Sequence, residues 1–249
     1  MSKKLLVVDD DVAILEMLTD LFENYGYSVI MVENGEKAVE LVKRKFFDMI
    51  LMDIQMPKMD GITTMRMIKE LSPVTPVIMI TACSQDRIIK EALDTGALGV
   101  IRKPFKIGEI VKMIDEYEKE KRLKQPAILI VEDDDSVRTS LKLILEEQKY
   151  KVAEATTGKE ALEKLQKEFF DLVIIDYRLP DSKGTEMSVK INEYNPEIDV
   201  IVITGYADLD VAIEAIRSHV LDFIQKPLEL DELLKIVKDA ILKKSLKSQ

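Results

Sequence analysis

Apolar residues along this chain gather in short β-branched runs, and between those runs they recur every three or four positions. In the first half the runs are KLLVVD, SVIMVE, DMILMD, PVIMIT and GVIRK, each of strand length. The stretches between them, from about Ala13 to Tyr25, Glu36 to Lys45, Ile62 to Leu71 and Asp86 to Thr95, are amphipathic with helical spacing. A fifth helix is predicted from Ile107 onward, where Ile107, Ile110, Val111, Ile114 and Tyr117 share one face. Apolar strands alternating with helices predict a parallel sheet covered on both faces, because each crossover lays a helix against the sheet. Five of each make one doubly wound α/β domain of ordinary size.

The pattern then repeats. A shift of 123 positions carries Asp10 onto Asp133, Gly35 onto Gly158, FFD at 46 onto FFD at 169, and Asp53 onto Asp176. It also carries Pro57 to Pro180, Gly61 to Gly184, Pro73 to Pro196, Thr81 to Thr204 and Lys103-Pro104 to Lys226-Pro227, with no insertion or deletion between. Two copies of one domain therefore account for nearly the whole chain. We place them at residues 1–124 and 126–249. The stretch EKEKRLKQP favours helix but is polar on every side, so the last helix of the first copy is expected to extend as a semi-rigid spacer over about 115–125. Its lysines, like those of KKSLK near the C-terminus, read as a solvated face.

Charge and cysteine content narrow the function. With 46 acidic against 36 basic side chains, the chain is a poor candidate for general binding to nucleic acid or anionic membrane. The single cysteine, Cys83, excludes an internal disulfide framework and a cysteine-rich zinc site. The apolar run before the first acids is too short for a signal peptide, and no later segment approaches a membrane span. A cytoplasmic protein is expected.

Each copy opens by running a β-branched stretch into three acids, LLVVDDD and then LIVEDDD. Adjacent carboxylates repel and are costly to desolvate, so the arrangement suits a site where a cation neutralises them. In an open parallel sheet the loops at the carboxyl ends of the strands surround the binding crevice. Asp9 and Asp10 end the first predicted strand, Asp53 the third, Thr81 the fourth and Lys103 the fifth, so they converge on one edge. Three acids offer hard oxygen ligands suited to Mg²⁺, which commonly binds a few carboxylates together with a phosphate. A carboxylate can also be a nucleophile that forms an aspartyl phosphate, and Asp53, alone at the end of MILMD, is the best candidate. A metal ion, a hydroxyl and a lysine would balance the phosphoryl charge.

The set VVDDD, MILMDIQMP, MITAC and VIRKPF resembles the receiver domain of two-component response regulators, and IVEDD, VIIDYRLP, VITGYAD and FIQKPL resembles it again. Asp9 to Asp53, Asp53 to Thr81 and Thr81 to Lys103 are 44, 28 and 22 residues apart, and so are Glu132, Asp176, Thr204 and Lys226 in turn. Any one motif is weak, but four in order, duplicated, are specific. The resemblance implies two flavodoxin-like (βα)5 domains of strand order 2-1-3-4-5. It implies that Asp53 and Asp176 accept phosphoryl groups from a histidine kinase or histidine phosphotransfer protein. Asp10 and Asp133 would hold Mg²⁺ directly, Asp9 and Glu132 would assist through water, and the backbone carbonyls of Gln55 and Arg178 would complete the shell. Thr81 and Thr204 would follow the phosphoryl oxygen, and Lys103 and Lys226 would pair with it. Cis peptides are expected before Pro104 and Pro227, Ala82 and Gly205 would leave room for the phosphoryl group, and Asp11 and Asp134 read as helix caps. Gln55 with Cys83, and Arg178 with Tyr206, occupy positions that tune phosphoryl lifetime in this family.

The copies also depart from each other at the position of the family's aromatic switch. An aromatic residue usually stands three before the lysine; copy two has Phe223 there and copy one has Val100, which puts the usual aromatic switch of the first domain in doubt. His219, the only histidine, reads as packing or surface, so self-phosphorylation in the manner of a histidine kinase is not expected. Only 23 residues follow Lys226, so no effector module is expected, and output would pass through contacts with a downstream protein or onward phosphotransfer. A homodimer stays open. The chain is expected to be an autocatalytic phosphoacceptor that can also dephosphorylate itself, not an enzyme in the usual sense. A receiver-like scaffold with vestigial pockets is the alternative. A haloacid-dehalogenase-like phosphatase ranks lower, because Ala13 and Glu132 break its acid pattern.

Overall fold

The computed structural model describes residues 2–83, 85–122, 125–205 and 220–247. The chain divides into two compact units, Met1–Glu120 and Lys121–Gln249. In unit one the elements run β1 (Lys4–Val8), α1 (Val12–Asn24), β2 (Ser28–Val32), α2 (Gly35–Arg44), β3 (Met49–Asp53), α3 (Gly61–Leu71), β4 (Val77–Thr81), α4 (Asp86–Asp94), β5 (Gly99–Arg102) and α5 (Ile107–Arg122). Unit two follows with β6 (Ala127–Val131), α6 (Asp135–Glu147), β7 (Lys151–Ala155), α7 (Gly158–Lys167), β8 (Leu172–Asp176), α8 (Gly184–Tyr194), β9 (Asp199–Thr204), β10 (Asp222–Gln225) and α9 (Leu230–Lys247).

Both sheets are wholly parallel, in the order β2-β1-β3-β4-β5 and β7-β6-β8-β9-β10, so each unit is a flavodoxin-like doubly wound fold. The inner strands β3, β4, β6 and β8 are buried at every residue, which is why they carry no polar alternation. The edge strands β2 and β7 are only partly covered and admit Ser28, Lys151 and Glu154. Successive residues of a strand face opposite sides. Leu6, Val8, Ile50, Met52, Val77 and Met79 thus meet the apolar stripes of α2 and α3, while Leu5, Val7, Met49, Leu51, Ile78 and Ile80 meet α1 and α5. Unit two repeats this with α7 and α8 on one face and α6 and α9 on the other.

Several ends differ by one residue from the periodicity, for local reasons. β1 stops at Val8 and β5 at Arg102, so Asp9 and Lys103 are the first loop residues and not the last of their strands. The helices α2 and α3 begin at Gly35 and Gly61, because the side chains of Asn34 and Asp60 accept the N–H of Lys37 and Thr63 and so cap the first turn. Asp11 and Asp134 are caps as expected, accepting from Ala13 and from Ser136 and Val137 respectively. The Lys103–Pro104 and Lys226–Pro227 peptides are cis. The last helical residues of α5 continue the chain as far as Arg122. No helix of the described residues is long and apolar enough to cross a membrane.

Candidate functional site

In unit one β1 is paired on one side with β2 and on the other with β3, so the chain leaves it in one direction and leaves β3 in the other. The loops after β1 and β3 part there and open a crevice at the strand ends. Asp9 stands at that point with 1% of its surface exposed, and Asp53 closes β3 at 4%. Asp10, next in the chain, is exposed. One carboxylate oxygen from each of the three lies within 4.8 Å of the others, and Glu132, Asp133 and Asp176 form the same cluster in unit two. Sequence reasoning named all six.

The lysine occupies a definite place among them. Lys103 Nζ lies 2.7 Å from Asp9 Oδ2 and 3.1 Å from Asp53 Oδ1, bridging the two buried acids. Lys226 does the same in unit two, 2.9 Å from Glu132 Oε2 and 3.0 Å from Asp176 Oδ1. Each lysine arrives from the end of the fifth strand because its backbone N–H donates to the hydroxyl residue's carbonyl, Thr81 or Thr204, at 2.7 Å in both units. The backbone therefore ties hydroxyl and lysine together. Thr81 is wholly buried and its Oγ1 accepts the N–H of Cys83 at 2.9 Å, which places the half-buried Cys83 directly beside it. Gln55 and Arg178 stand two residues past the acids in exposed loop positions, and the Arg178 N–H donates to Asp176 Oδ2 at 3.2 Å. Tyr206 and His219 lie outside the described residues. Val100 and Phe223 are both half-buried against the face of the sheet that carries α2 and α3, or α7 and α8.

Electrostatics make this a site short of positive charge. Burial pushes the Asp53 carboxyl above the usual range; Lys103 works against that, and repulsion from Asp9 and Asp10 adds to it. Glu132 is likewise raised by burial, opposed by its hydrogen bond to Lys226 and reinforced by Asp176. Burial alone would lower both lysines, yet their bonds to the acids carry Lys103 and Lys226 above the ordinary value. Three acids against one lysine leave a surplus of anion at each crevice. The donors are all hard oxygens, and a Mg²⁺ ion with ligands at about 2.1 Å spans about 4.2 Å across its shell. The clusters are of that size, so the residues present fit the ion.

Two features of unit two escaped the sequence reading. Asp181, in the loop after β8, accepts the N–H groups of Gly158 and Lys159 at 2.9 and 3.0 Å, pinning that loop to the start of α7. The repeat has Lys58 at this position, with φ of 70°. Arg138 on α6 donates to the main-chain carbonyls of Glu132 and Asp133. An acid in a turn and a basic residue on a helix are common enough that neither spacing nor periodicity marked them.

The profile of the Response regulator receiver domain matches residues 5–115 and again 128–238. The transcriptional regulatory protein ZraR of Klebsiella oxytoca is 40% identical over 118 residues, which are 47% of this chain and 27% of that protein, so the match spans about a quarter of that relative's length. The chemotaxis protein CheY of Bacillus subtilis is 35% identical over 117 residues, 47% of this chain and 98% of that one. Among solved structures, a CheY-like receiver domain protein of Methanospirillum hungatei covers 50% of this chain and 99% of its own, at 35% identity and a TM-score of 0.48.

Proposed function

We propose, for a chain that belongs to the response regulator receiver domain family and carries that domain twice, that both copies are working phosphoacceptors, with Asp53 and Asp176 as the acceptors. The observation that carries the reading is the duplicated cluster: three acids within 4.8 Å, two of them bridged by a lysine, at the carboxyl edge of each sheet. A phosphohistidine on a histidine kinase or phosphotransfer protein is the donor. A carboxylate oxygen of Asp53 bonds to phosphorus as the bond from phosphorus to the imidazole nitrogen breaks, and that nitrogen leaves with the electron pair. Lys103 turns from the carboxylate to the new phosphoryl oxygens, and the Thr81 hydroxyl donates to one of them. Asp10 would hold Mg²⁺ directly with Asp53 and the Gln55 carbonyl, and Asp9 would assist through water. Asp133, Asp176, the Arg178 carbonyl and Glu132 would do the same in unit two. The ion, when bound, draws charge from the phosphoryl oxygens. Attack by water on phosphorus breaks the bond from phosphorus to the aspartate oxygen, releasing inorganic phosphate and returning the free carboxylate.

Output passes to a downstream protein by contact or by onward phosphotransfer, and the protein works in the cytoplasm, as domains 1–124 and 126–249. Intact-mass measurement after incubation with Mg²⁺ and a small phosphodonor tests this. Wild type is expected to gain two phosphoryl groups, and Asp53→Ala and Asp176→Ala one each. No gain in any form, with the fold retained, would leave the copies as receiver-like scaffolds.

A further inference from the structure

The acid loops of the two units are supported from beneath in different ways. In unit two Arg138 Nη1 donates to the carbonyl of Glu132 at 2.9 Å and, more weakly, to that of Asp133 at 3.4 Å. Its Nη2 bonds the Asp135 carboxylate, and its Nε lies 3.5 Å from Glu154 of β7, which also holds Lys142 at 2.5 Å. Only 13% of the Arg138 side chain is exposed. The carbonyl of residue 132 lies in the peptide plane before the Asp133 Cα, and that of residue 133 in the plane after it. One guanidinium nitrogen thus restrains both planes, and with them the direction in which the Asp133 side chain leaves the backbone.

Unit one has Leu15 at this position, with Val12, Met31 and Thr19 where Asp135, Glu154 and Lys142 stand. Leu15 is buried in the core and has no donor to offer, and Thr19 Oγ1 meets the Met31 sulfur at 3.7 Å. A local tether differs in the opposite sense. The Asp11 N–H reaches Asp9 at 2.9 Å, whereas the Asp134 N–H reaches the longer Glu132 only at 3.3 Å. The guanidinium thus stands under the loop whose own tether is longer.

We propose that Arg138 is a positioning residue for the divalent-cation site of unit two: by clamping the carbonyls on either side of the Asp133 Cα it presets that carboxylate, and the site binds Mg²⁺ more tightly for it. Arg138 bonds the main chain of the acid loop, at Glu132 and Asp133, and acts on the site through the placement of that loop. The proposal rests on the reading of Glu132, Asp133 and Asp176 as Mg²⁺ ligands. Outer partners that orient metal ligands commonly change affinity by about ten- to a hundredfold when removed.

The test is a Mg²⁺ titration of the isotope-labelled full chain, followed by amide shifts of Asp133 and Asp176, with Asp10 and Asp53 as the control within the same sample. Arg138→Leu, which installs the residue of unit one, should weaken Mg²⁺ binding in unit two about tenfold and leave unit one unchanged. Arg138→Lys, which keeps a donor but loses the fork, should recover part of the affinity. Glu154→Gln frees the guanidinium from its anchor on β7 and should give a smaller loss. A folded Arg138→Leu protein with wild-type affinity overturns the proposal, and if that variant does not fold, unchanged affinity in Glu154→Gln does so. Absence of Mg²⁺ shifts at Asp133 and Asp176 in the wild type would instead overturn the metal reading, and the proposal with it.

Discussion

Gly61 and Gly184 open the helices that follow the acceptor strands, and their repeat-related positions allow a graded perturbation of the site from behind. A Cβ built on Gly61 would lie 2.1 Å from the Asp53 carbonyl oxygen and 2.9 Å from the Ile54 Cα, whereas one on Gly184 would lie 2.6 Å from the Asp176 carbonyl. Such contacts do not close below 3.0 Å, so the backbone must yield by at least 0.9 Å in the first case and 0.4 Å in the second. Both obstacles are main chain, and the helix cannot simply retreat, because the N–H groups of Gly61 and Gly184 donate to Ile54 and Tyr177 at 2.9 and 2.8 Å. Overpacking of this kind costs about 1–3 kcal/mol. We assign about 3 kcal/mol to Gly61→Ala and about 1 kcal/mol to Gly184→Ala in proportion to the displacement. A methyl on Gly108 meets nothing within 4 Å, so Gly108→Ala should stabilise α5 by up to about 1 kcal/mol through helix propensity. Urea unfolding followed by circular dichroism, with the transition of each unit assigned, would rank the three. Because displacing a reacting group by about 1 Å can cost a hundredfold in rate, Gly61→Ala should also slow labelling of Asp53 far more than Gly184→Ala slows that of Asp176. A Gly61→Ala protein as stable as Gly108→Ala would refute the reasoning.

The lysine bridge, the metal and the buried tyrosines give further outcomes. Lys103→Met removes the cation shared by Asp9 and Asp53 and should destabilise unit one by about 3 kcal/mol in Mg²⁺-free buffer; an unchanged unfolding midpoint would count against the bridge. Mg²⁺ at a hundred times its Kd should stabilise each unit by about 2.7 kcal/mol, and Asp10→Asn or Asp133→Asn should abolish the gain in its own unit only. Burial, with Glu118 next, raises Tyr27 and Tyr117 from 10.0 to about 12. Their neutral forms are favoured by folding, so this stability is fully present below pH 10 and is lost as pH rises through about 12. Absorbance titration of Tyr27→Phe and Tyr117→Phe against wild type checks it, and ionisation of either residue near pH 10 in the folded protein would contradict it.

The fold was legible because its determinants are local or repeated. Buried strands such as MILM and VIMI show no alternation, and the shift of 123 carries each of the five strands of unit one onto a strand of unit two, whereas the helix starts set by the caps Asn34 and Asp60 were read one residue late. The acids and the lysines were legible from order and spacing. Contacts between distant side chains were not. That Lys103 reaches Asp9 across 94 residues, and that Arg138 reaches back to the carbonyls of Glu132 and Asp133, depends on side-chain direction within a packed crevice. Val100 and Phe223 illustrate the same limit: the sequence shows the exchange of an aliphatic for an aromatic residue, but only packing shows that both lie half-buried against the equivalent core cluster of their unit.

The divergence between the copies is concentrated where backbone geometry does not dictate the outcome. In both units the lysine nitrogen ends 2.7 to 3.1 Å from two acids, even though Asp9 has become Glu132 and the residues around α1 and α6 differ in charge. Register explains the constancy. Asp53 pairs with Ile80 and Thr81 with Arg102, just as Asp176 pairs with Ile203 and Thr204 with Gln225, so the paired strand ends place acid, hydroxyl and lysine whatever lies behind them. The loops are free of that constraint. Asp60 caps α3 in unit one, whereas in unit two Asp181 bonds the segment after the acceptor to α7, and Arg138 supports an acid loop whose counterpart in unit one has Leu15 at that position. On the function proposed above, this division predicts one reaction with separately tuned metal affinity in the two units, since substitutions outside the strand ends would alter one unit without disturbing the other.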